Sequence, residues 1–293
     1  MRAYVGRFAP SPTGPLHIGS LLAAAASFLH ARQHRGKWLL RIENIDPPRE
    51  PPGTTDAILS TLDTLELHWD GAPAYQVDRV AHFRRAADQL LETGSAFRCV
   101  CSRRQIRAIS GDNRYPGTCR QLQITATPSR IRVIAPIETS HFVDRLQGPV
   151  SYDIQQSEGD YLIYRLDGLP AYHLAVVIDD ACSGVTDVVR GIDLLEQTAI
   201  HAHLQALLGY EAPSYWHLPV VVDGNGIKLS KQTGARAVDV TDPSASVWML
   251  LRLLGARPPS ELRGAPPREL WGWAIDHWSI DALKGCSALP APA

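Results

Sequence analysis

The chain has 293 residues, 45% hydrophobic and 20% charged, which makes it a soluble globular protein with one sizeable core plus attachments. Its net charge of −1 gives no global sign of nucleic-acid binding, so any such surface must be local. The alanine-rich stretch 21–29 is too short to span a bilayer, and it follows a proline-rich turn rather than a basic leader. With five cysteines and no export signal, a cytoplasmic protein without membrane attachment is expected.

In chain order, residues 3–8 read as a strand, 17–33 as a helix and 38–42 as a second strand. The link between the first two is Arg7-Phe8-Ala9-Pro10-Ser11-Pro12-Thr13-Gly14-Pro15-Leu16-His17-Ile18-Gly19-Ser20. Its prolines and Gly14 make a rigid turn with few side chains, where the helix N-terminus favours a phosphate. His17, in the first helical turn, can donate to a phosphate oxygen, and Gly19 leaves room for a flat base. Residues 77–93 carry the stripe Val80, Phe83, Ala87, Leu90 and Leu91, a helix that stops at Gly94.

Residues 99–169 break the α/β rhythm and read as an insertion. From 98 to 132 there are eight arginines against one acid, Asp112, which fits either a phosphate-facing surface or a solvated, arginine-biased loop. The same stretch holds Cys99, Cys101 and Cys119, and three thiols within 21 residues of a chain expected in the cytoplasm favour a metal over a disulfide, although the spacing is not that of an ordinary zinc finger. The fourth ligand is open, His141 being the nearest later histidine and Tyr115 the nearest oxygen. Cys182 and Cys286 read as inert thiols.

Beyond the insertion, 174–178 and 185–189 are β-branched, apolar runs expected as strands, with Asp179-Asp180 in a strand-end turn. Asp193 is expected to cap a helix running to about 208, and 218–222 to form another strand. A hairpin-like turn at 223–226 leads to Lys228-Leu229-Ser230-Lys231, which holds two of only four lysines in the chain. A compact ammonium on a mobile loop suits polyphosphate charge as it develops. The rest reads as a helix near 246–254 and a Trp-rich amphipathic segment at 269–283.

Strands alternating with helices imply a doubly wound parallel sheet, a Rossmann-type α/β fold with ligands beyond the strand C-terminal ends. The organisation expected is a catalytic domain in two halves, 1–98 and 170–240, an inserted subdomain at 99–169, and a short helical segment at 241–293.

The strings at 7–20 and 228–231 resemble the two ATP-handling signatures of class I aminoacyl-tRNA synthetases. With Arg41-Ile42-Glu43-Asn44-Ile45-Asp46, Leu169-Pro170-Ala171-Tyr172-His173-Leu174-Ala175 and Val189-Arg190-Gly191-Ile192-Asp193, the chain is similar to the glutamyl branch. Leu229 and Ser20 depart from the usual methionine and second histidine, which concentrates the first motif's role on His17. The resemblance implies His17 and Lys231 as catalytic residues. It implies an ATP site of Arg7, Phe8, Ala9, Pro10, Ser11, His17, Gly19, Lys228 and Lys231. For glutamate it implies Arg7, Ser11, Glu43, Tyr172 and Arg190. A plain Arg–Glu pair between strands would account for Glu43 with Arg41 or Arg190 equally well.

Only 62 residues follow Lys231, which leaves no expected room for anticodon-binding domains. In this the chain resembles the truncated glutamyl-queuosine tRNA(Asp) synthetases. That family implies one structural Zn²⁺ on Cys99, Cys101, Tyr115 and Cys119, and Mg²⁺ with ATP. The partners implied are ATP, L-glutamate and tRNA(Asp) carrying queuosine, and the protein is expected as a monomer.

Overall fold

The computed structural model describes residues 2–229, 238 and 240–291. Strand β1 (Val5–Phe8) runs into α1 (Ile18–Gln33), which returns the chain to β2 (Lys37–Ile42), parallel to β1. After α2 (Thr54–Thr64), the short β3 (Ala74–Tyr75) extends the sheet beside β2, and α3 (Val80–Glu92) follows. Ala24, Ala25 and Ala26 of α1 are fully buried, so the helix can lie close to the sheet. Trp38 of β2 is also fully buried, and its indole N–H donates to Ser27 Oγ at 2.9 Å. That bond removes the cost of an unpaired buried donor.

The chain then leaves the parallel sheet. Strands β4 (Ala96–Cys99), β5 (Arg130–Val133) and β8 (Tyr161–Tyr164) form an antiparallel sheet in the order β4–β5–β8. Helix α4 (Arg103–Ser110), the hairpin of β6 (Ser140–Asp144) and β7 (Gly148–Tyr152), and the single turn α5 (Ile154–Ser157) lie between these strands in sequence. Ile131, Val133 and Ile163 of this sheet share one core with Phe83 and Leu90 of α3. The same core takes in Leu174 of α6 (Tyr172–Cys182) and Ile200 and Leu204 of α7 (Gln197–Leu208), so the insertion is rooted in the main body.

The parallel pattern resumes with β9 (Asp187–Gly191) and β10 (Ser214–Leu218). Thr186 N donates to Val5 O at 2.9 Å and ties this pair alongside β1. Strand β11 (Val220–Val222) follows, then α8 (Pro243–Leu253) and α9 (Pro267–His277), and finally β12 (Ala288–Pro290), parallel to β11. The Trp-rich tail packs by specific contacts: Trp271 donates to Leu65 O and Trp278 to Leu254 O, both at 2.8 Å.

Several expectations change. Residues 174–178 are helix, not strand: they lie in α6, where 174–180 are all buried. A continuous apolar run has no face to reveal its period, and here burial on all sides belongs to a helix between two layers. Asp179 and Asp180 are therefore in that helix rather than in a turn. The strand expected at 218–222 is two strands broken at Pro219, which has no N–H for a ladder. Glu196, not Asp193, stands at the N-cap of α7, with Asp193 in a preceding 3₁₀ turn. The turn at 223–226 is present, with Asp223 N bonded to Ile227 O at 2.9 Å. Among the described residues, no helix is long and apolar enough to cross a membrane.

Candidate functional site

The C-terminal ends of β1, β2 and β9 open on a cavity of about 810 Å³. Residues 7–11, His17, Gly19, Glu43, Tyr172, Arg190 and Lys228 all line it. Lys231 lies outside the described residues. The lining combines charged groups with an apolar set, Leu16, Ala23, Val221, Ile227 and Leu229, a mixture suited to a polar small molecule with a flat apolar part.

His17 is the N-cap of α1 rather than part of its first turn. Its Nδ1 accepts from Gly19 N at 3.1 Å and Ser20 N at 3.3 Å, so the ring proton resides on Nε2. Nε2 lies 3.1 Å from Ser20 Oγ, which accepts from it. The motif thus builds a neutral imidazole whose N–H is a fixed donor. A Cβ at Gly19 would sit 3.2 Å from His17 Cε1 and crowd that ring.

The floor is an ion network. Arg7 Nε shares its proton between Asp180 Oδ1 and Oδ2, at 3.2 and 3.3 Å. Among the described residues its two terminal nitrogens make no hydrogen bond, although Arg7 is 5% exposed and lines the cavity. Arg41 donates to Asp180 at 2.6 Å and to Glu43 at 3.2 Å, and Arg79 pairs with Asp179 at 2.9 Å. Burial raises the Asp180 carboxyl, but Arg7 and Arg41 outweigh it and hold it below the ordinary range. Burial dominates at Glu43 and pushes its carboxyl up despite Arg41. A cationic group in the cavity would relieve that penalty. The Arg41–Glu43 pair raised by the sequence exists, and Arg190 makes no pair with Glu43. Asp179 and Asp180 serve as anchors for arginines.

The surroundings of Arg190 follow another logic. Among the described residues, Arg190, 5% exposed, directs its donors to neutral acceptors: His217 Nε2 at 3.0 Å, Thr198 Oγ1 at 2.9 Å, Leu194 O at 3.1 Å and His201 Nδ1 at 3.2 Å. A 3.5 Å contact to Tyr172 Oη completes the set. Burial lowers both histidines, with Arg190 adding to the effect, so they stay neutral. Burial and the nearby carboxylates outweigh the arginines at Tyr172, whose phenol is pushed up to about 12 and remains a donor. A buried cation without an anionic partner in contact is expensive, and a carboxylate in the cavity would offset the cost. Lys228, at the mouth, bonds Asp193 Oδ2 at 2.7 Å.

A second cluster lies in the insertion. The Sγ atoms of Cys99, Cys101 and Cys119 are all within 4.8 Å of one another, and all three residues are buried. Tyr115 Oη is 3.4 Å from Cys99 Sγ and 3.9 Å from Cys101 Sγ, and it accepts from Cys119 N at 2.8 Å. Ligands of a tetrahedral zinc stand about 3.7 Å apart, and Cys101 and Cys119 Sγ are 3.4 Å apart, well beyond disulfide length. Gly159 permits this packing: at φ +66°, its Cβ would fall 2.3 Å from Tyr115 O. Of the eight arginines, 103, 104, 107 and 120 are exposed, whereas Arg132 is buried over the Tyr115 ring at 4.1 Å.

Sequence reasoning missed Arg41, Thr198, His201 and His217 as parts of the site. Arg41 stood in a quoted motif, as a possible partner of Glu43; for His217 the signal is three-dimensional, since the parallel register of β9 and β10 sets it directly opposite Arg190.

Residues 4–261 match the family model described as tRNA synthetases class I (E and Q), catalytic domain. The chain is 49% identical over 284 residues to a glutamyl-Q tRNA(Asp) synthetase of Aromatoleum aromaticum, covering 94% of this chain and 89% of that protein. It is 44% identical to one from Pseudomonas aeruginosa, covering 98% of both. Its fold matches a glutamate tRNA ligase from Elizabethkingia meningosepticum, solved with its amino acid, at a TM-score of 0.84 and 25% identity. That match covers 100% of this chain and 68% of the ligase. The motifs, the parallel sheet and these likenesses agree: the chain belongs to the class I tRNA synthetases of the glutamyl and glutaminyl type, and within them to the glutamyl-Q tRNA(Asp) synthetase family.

Proposed function

We propose that this protein activates glutamate with ATP and transfers it to queuosine at the anticodon wobble position of tRNA(Asp). The observation that carries the reading is Arg190, a buried guanidinium whose partners among the described residues are all neutral, in one cavity with Glu43 and the His17-capped helix. Arg190, Tyr172 and the free end of Arg7 suit the two carboxylates of glutamate, and Glu43 suits its ammonium. These groups and Ser11 would hold the amino acid. Residues 7–11, with His17, Gly19 and Lys228, would hold ATP.

In the first step an oxygen of the glutamate α-carboxylate attacks the α-phosphorus of ATP, giving glutamyl-adenylate and releasing pyrophosphate. The Nε2–H of His17 would turn from Ser20 Oγ to meet phosphate charge as it builds, and Lys231, on the sequence reading, adds a cation. Mg²⁺ bound with ATP would neutralise part of that charge. A ring hydroxyl of queuosine then attacks the activated carbonyl, losing its proton as AMP departs. Positioning and electrostatics are the protein's main contribution.

The insertion, 99–169, is read as the acceptor-facing subdomain between the two catalytic halves, 1–98 and 170–240. Its exposed arginines would contact tRNA phosphates in a salt-dependent way. Cys99, Cys101, Cys119 and Tyr115 would hold one structural zinc, bracing a segment with little core of its own. Elemental analysis of protein purified without chelator should then find about one equivalent of zinc, and none after Cys119→Ser. We read the enzyme as a cytoplasmic monomer.

The test has two stages. Glutamate, and not glutamine, should support ATP–pyrophosphate exchange without tRNA. Labelled glutamate should then pass to queuosine-containing tRNA(Asp) and not to tRNA(Glu), even after the 3′-terminal diol is oxidised with the queuosine diol protected. Efficient charging of tRNA lacking queuosine would replace this reading with ordinary aminoacylation.

A further inference from the structure

Asp144 ends β6 in the insertion, away from the cavity, and its side chain is fully buried. Its Oδ1 accepts from the backbone N–H groups of Leu146 at 3.0 Å, Gln147 at 2.9 Å and His217 at 3.3 Å. Its Oδ2 faces His217 Nδ1 at 2.6 Å. Burial raises this carboxyl, but His217 and the backbone donors outweigh it and hold it below the ordinary range.

An ionised carboxylate only accepts, so His217 must donate from Nδ1. The other ring nitrogen faces Arg190 Nε at 3.0 Å, and a guanidinium only donates. Both neighbours therefore require the same tautomer, with the proton on Nδ1 and a lone pair on Nε2. The turn carrying Asp144 is itself anchored. Arg145 N donates to Tyr215 O at 2.9 Å, and Gln147 Nε2 donates to His217 O at 2.8 Å and Cys286 O at 3.0 Å.

We infer that Asp144 is a positioning residue for glutamate: through His217 it fixes the guanidinium of Arg190 and so ties the inserted subdomain to the amino-acid pocket. The inference rests on reading the cavity as a glutamate site. The carboxylate supplies negative charge one imidazole away from Arg190. It thereby supports the cation from a distance and leaves its charge without an anion in contact among the described residues. Were the ring proton on Nε2, two donors would face each other and the guanidinium would turn away from its seat.

Asp144→Asn tests this with almost no change of shape. The amide oxygen can keep the backbone donors, but its NH₂ then faces Nδ1 and forces the ring proton to Nε2. In glutamate-dependent exchange, the KM for glutamate should rise about tenfold or more while the KM for ATP stays within about twofold. His217→Gln, whose amide oxygen reaches the place of Nε2, should retain more glutamate affinity than His217→Asn, whose shorter amide reaches only Asp144. An unchanged glutamate KM in folded Asp144→Asn, or an equal rise in both KM values, overturns the inference. If Asp144→Asn does not fold, the order of the two His217 variants decides, and an equal or reversed order overturns it. These effects are ratios to the unsubstituted protein. A lack of glutamate-dependent exchange in that protein would instead sink the functional reading, and the inference with it.

Discussion

Arg41 and Arg190 are buried to the same degree, at 3% and 5% exposure, yet their surroundings are opposite. Arg41 meets three carboxylates, Asp180, Glu43 and Asp179. Burial alone would depress it, but those charges outweigh the effect and raise it. Arg190 meets two neutral histidines, a threonine hydroxyl, a phenol and a backbone carbonyl. The first guanidinium is balanced by the fold, whereas the second has no carboxylate in contact among the described residues, which is the ground for proposing it as the ligand-binding one. Burial by itself therefore does not separate a structural arginine from a binding one. The identity of the acceptors does.

That contrast is sharpest under truncation. Arg41→Ala strands carboxylates in a dry site and should cost about 3–5 kcal/mol of stability, read as a lower urea midpoint. Arg190→Ala should lower the midpoint less, because the acceptors it leaves are neutral groups rather than carboxylates. Its cost falls on substrate: kcat/KM for glutamate should drop about 10³-fold, roughly 4 kcal/mol. Equal losses of stability in the two variants would erase the distinction drawn here.

A third variant separates glutamate from ATP. His17→Ala removes both the N-cap of α1 and the fixed Nε2–H donor. Exchange should slow by about 10²–10³-fold, in kcat more than in KM for glutamate, with a stability loss of about 1 kcal/mol from the lost cap. A KM effect confined to glutamate would place His17 in the wrong half of the cavity.

Acid should distinguish the two sets of groups more gently. His173, whose Nδ1 lies 3.2 Å from His201 Nε2, is held at about 4 by burial, with Arg190 adding to it. It is neutral in the fold but protonates near 6.5 when the chain unfolds. Its contribution is thus fully present above pH 6.5 and is lost as pH falls towards 4, by up to roughly 3 kcal/mol. Asp180, held below the ordinary carboxylate range, keeps its contribution at pH 5. Urea unfolding at pH 7.5 and pH 5 should show a drop that His173→Gln reduces. An identical drop in that variant would mean that other groups carry the acid sensitivity.

Much of the site was legible because its chemistry is local in sequence. The turn at 10–15 and the helix behind it place His17 and Gly19 together, two positions apart at one helix end. Glu43 follows the end of β2, where an α/β sheet presents its ligand groups. The three cysteines lie within 21 residues, and their gathering needs only a short excursion of chain. The motif at 228–231 was read from its lysines, and Lys231 falls outside the described residues. The misread segment, 174–178, failed for a physical reason: a run apolar on every side carries no period.

The sequence by itself determined the βα turn, the alternation that makes a parallel sheet, and the cysteine cluster, because each arises from residues close together along the chain. Tertiary structure alone decided what each buried charge touches. Asp180 reaches Arg7 across 173 positions, and Asp144 reaches His217 across 73. Hydrogen bonds of about 3 Å are set by strand register and helix packing, and neither leaves a local pattern in the order of residues. That is why the sequence could identify Arg190 as a cation worth watching, and only the fold could show that its partners are neutral.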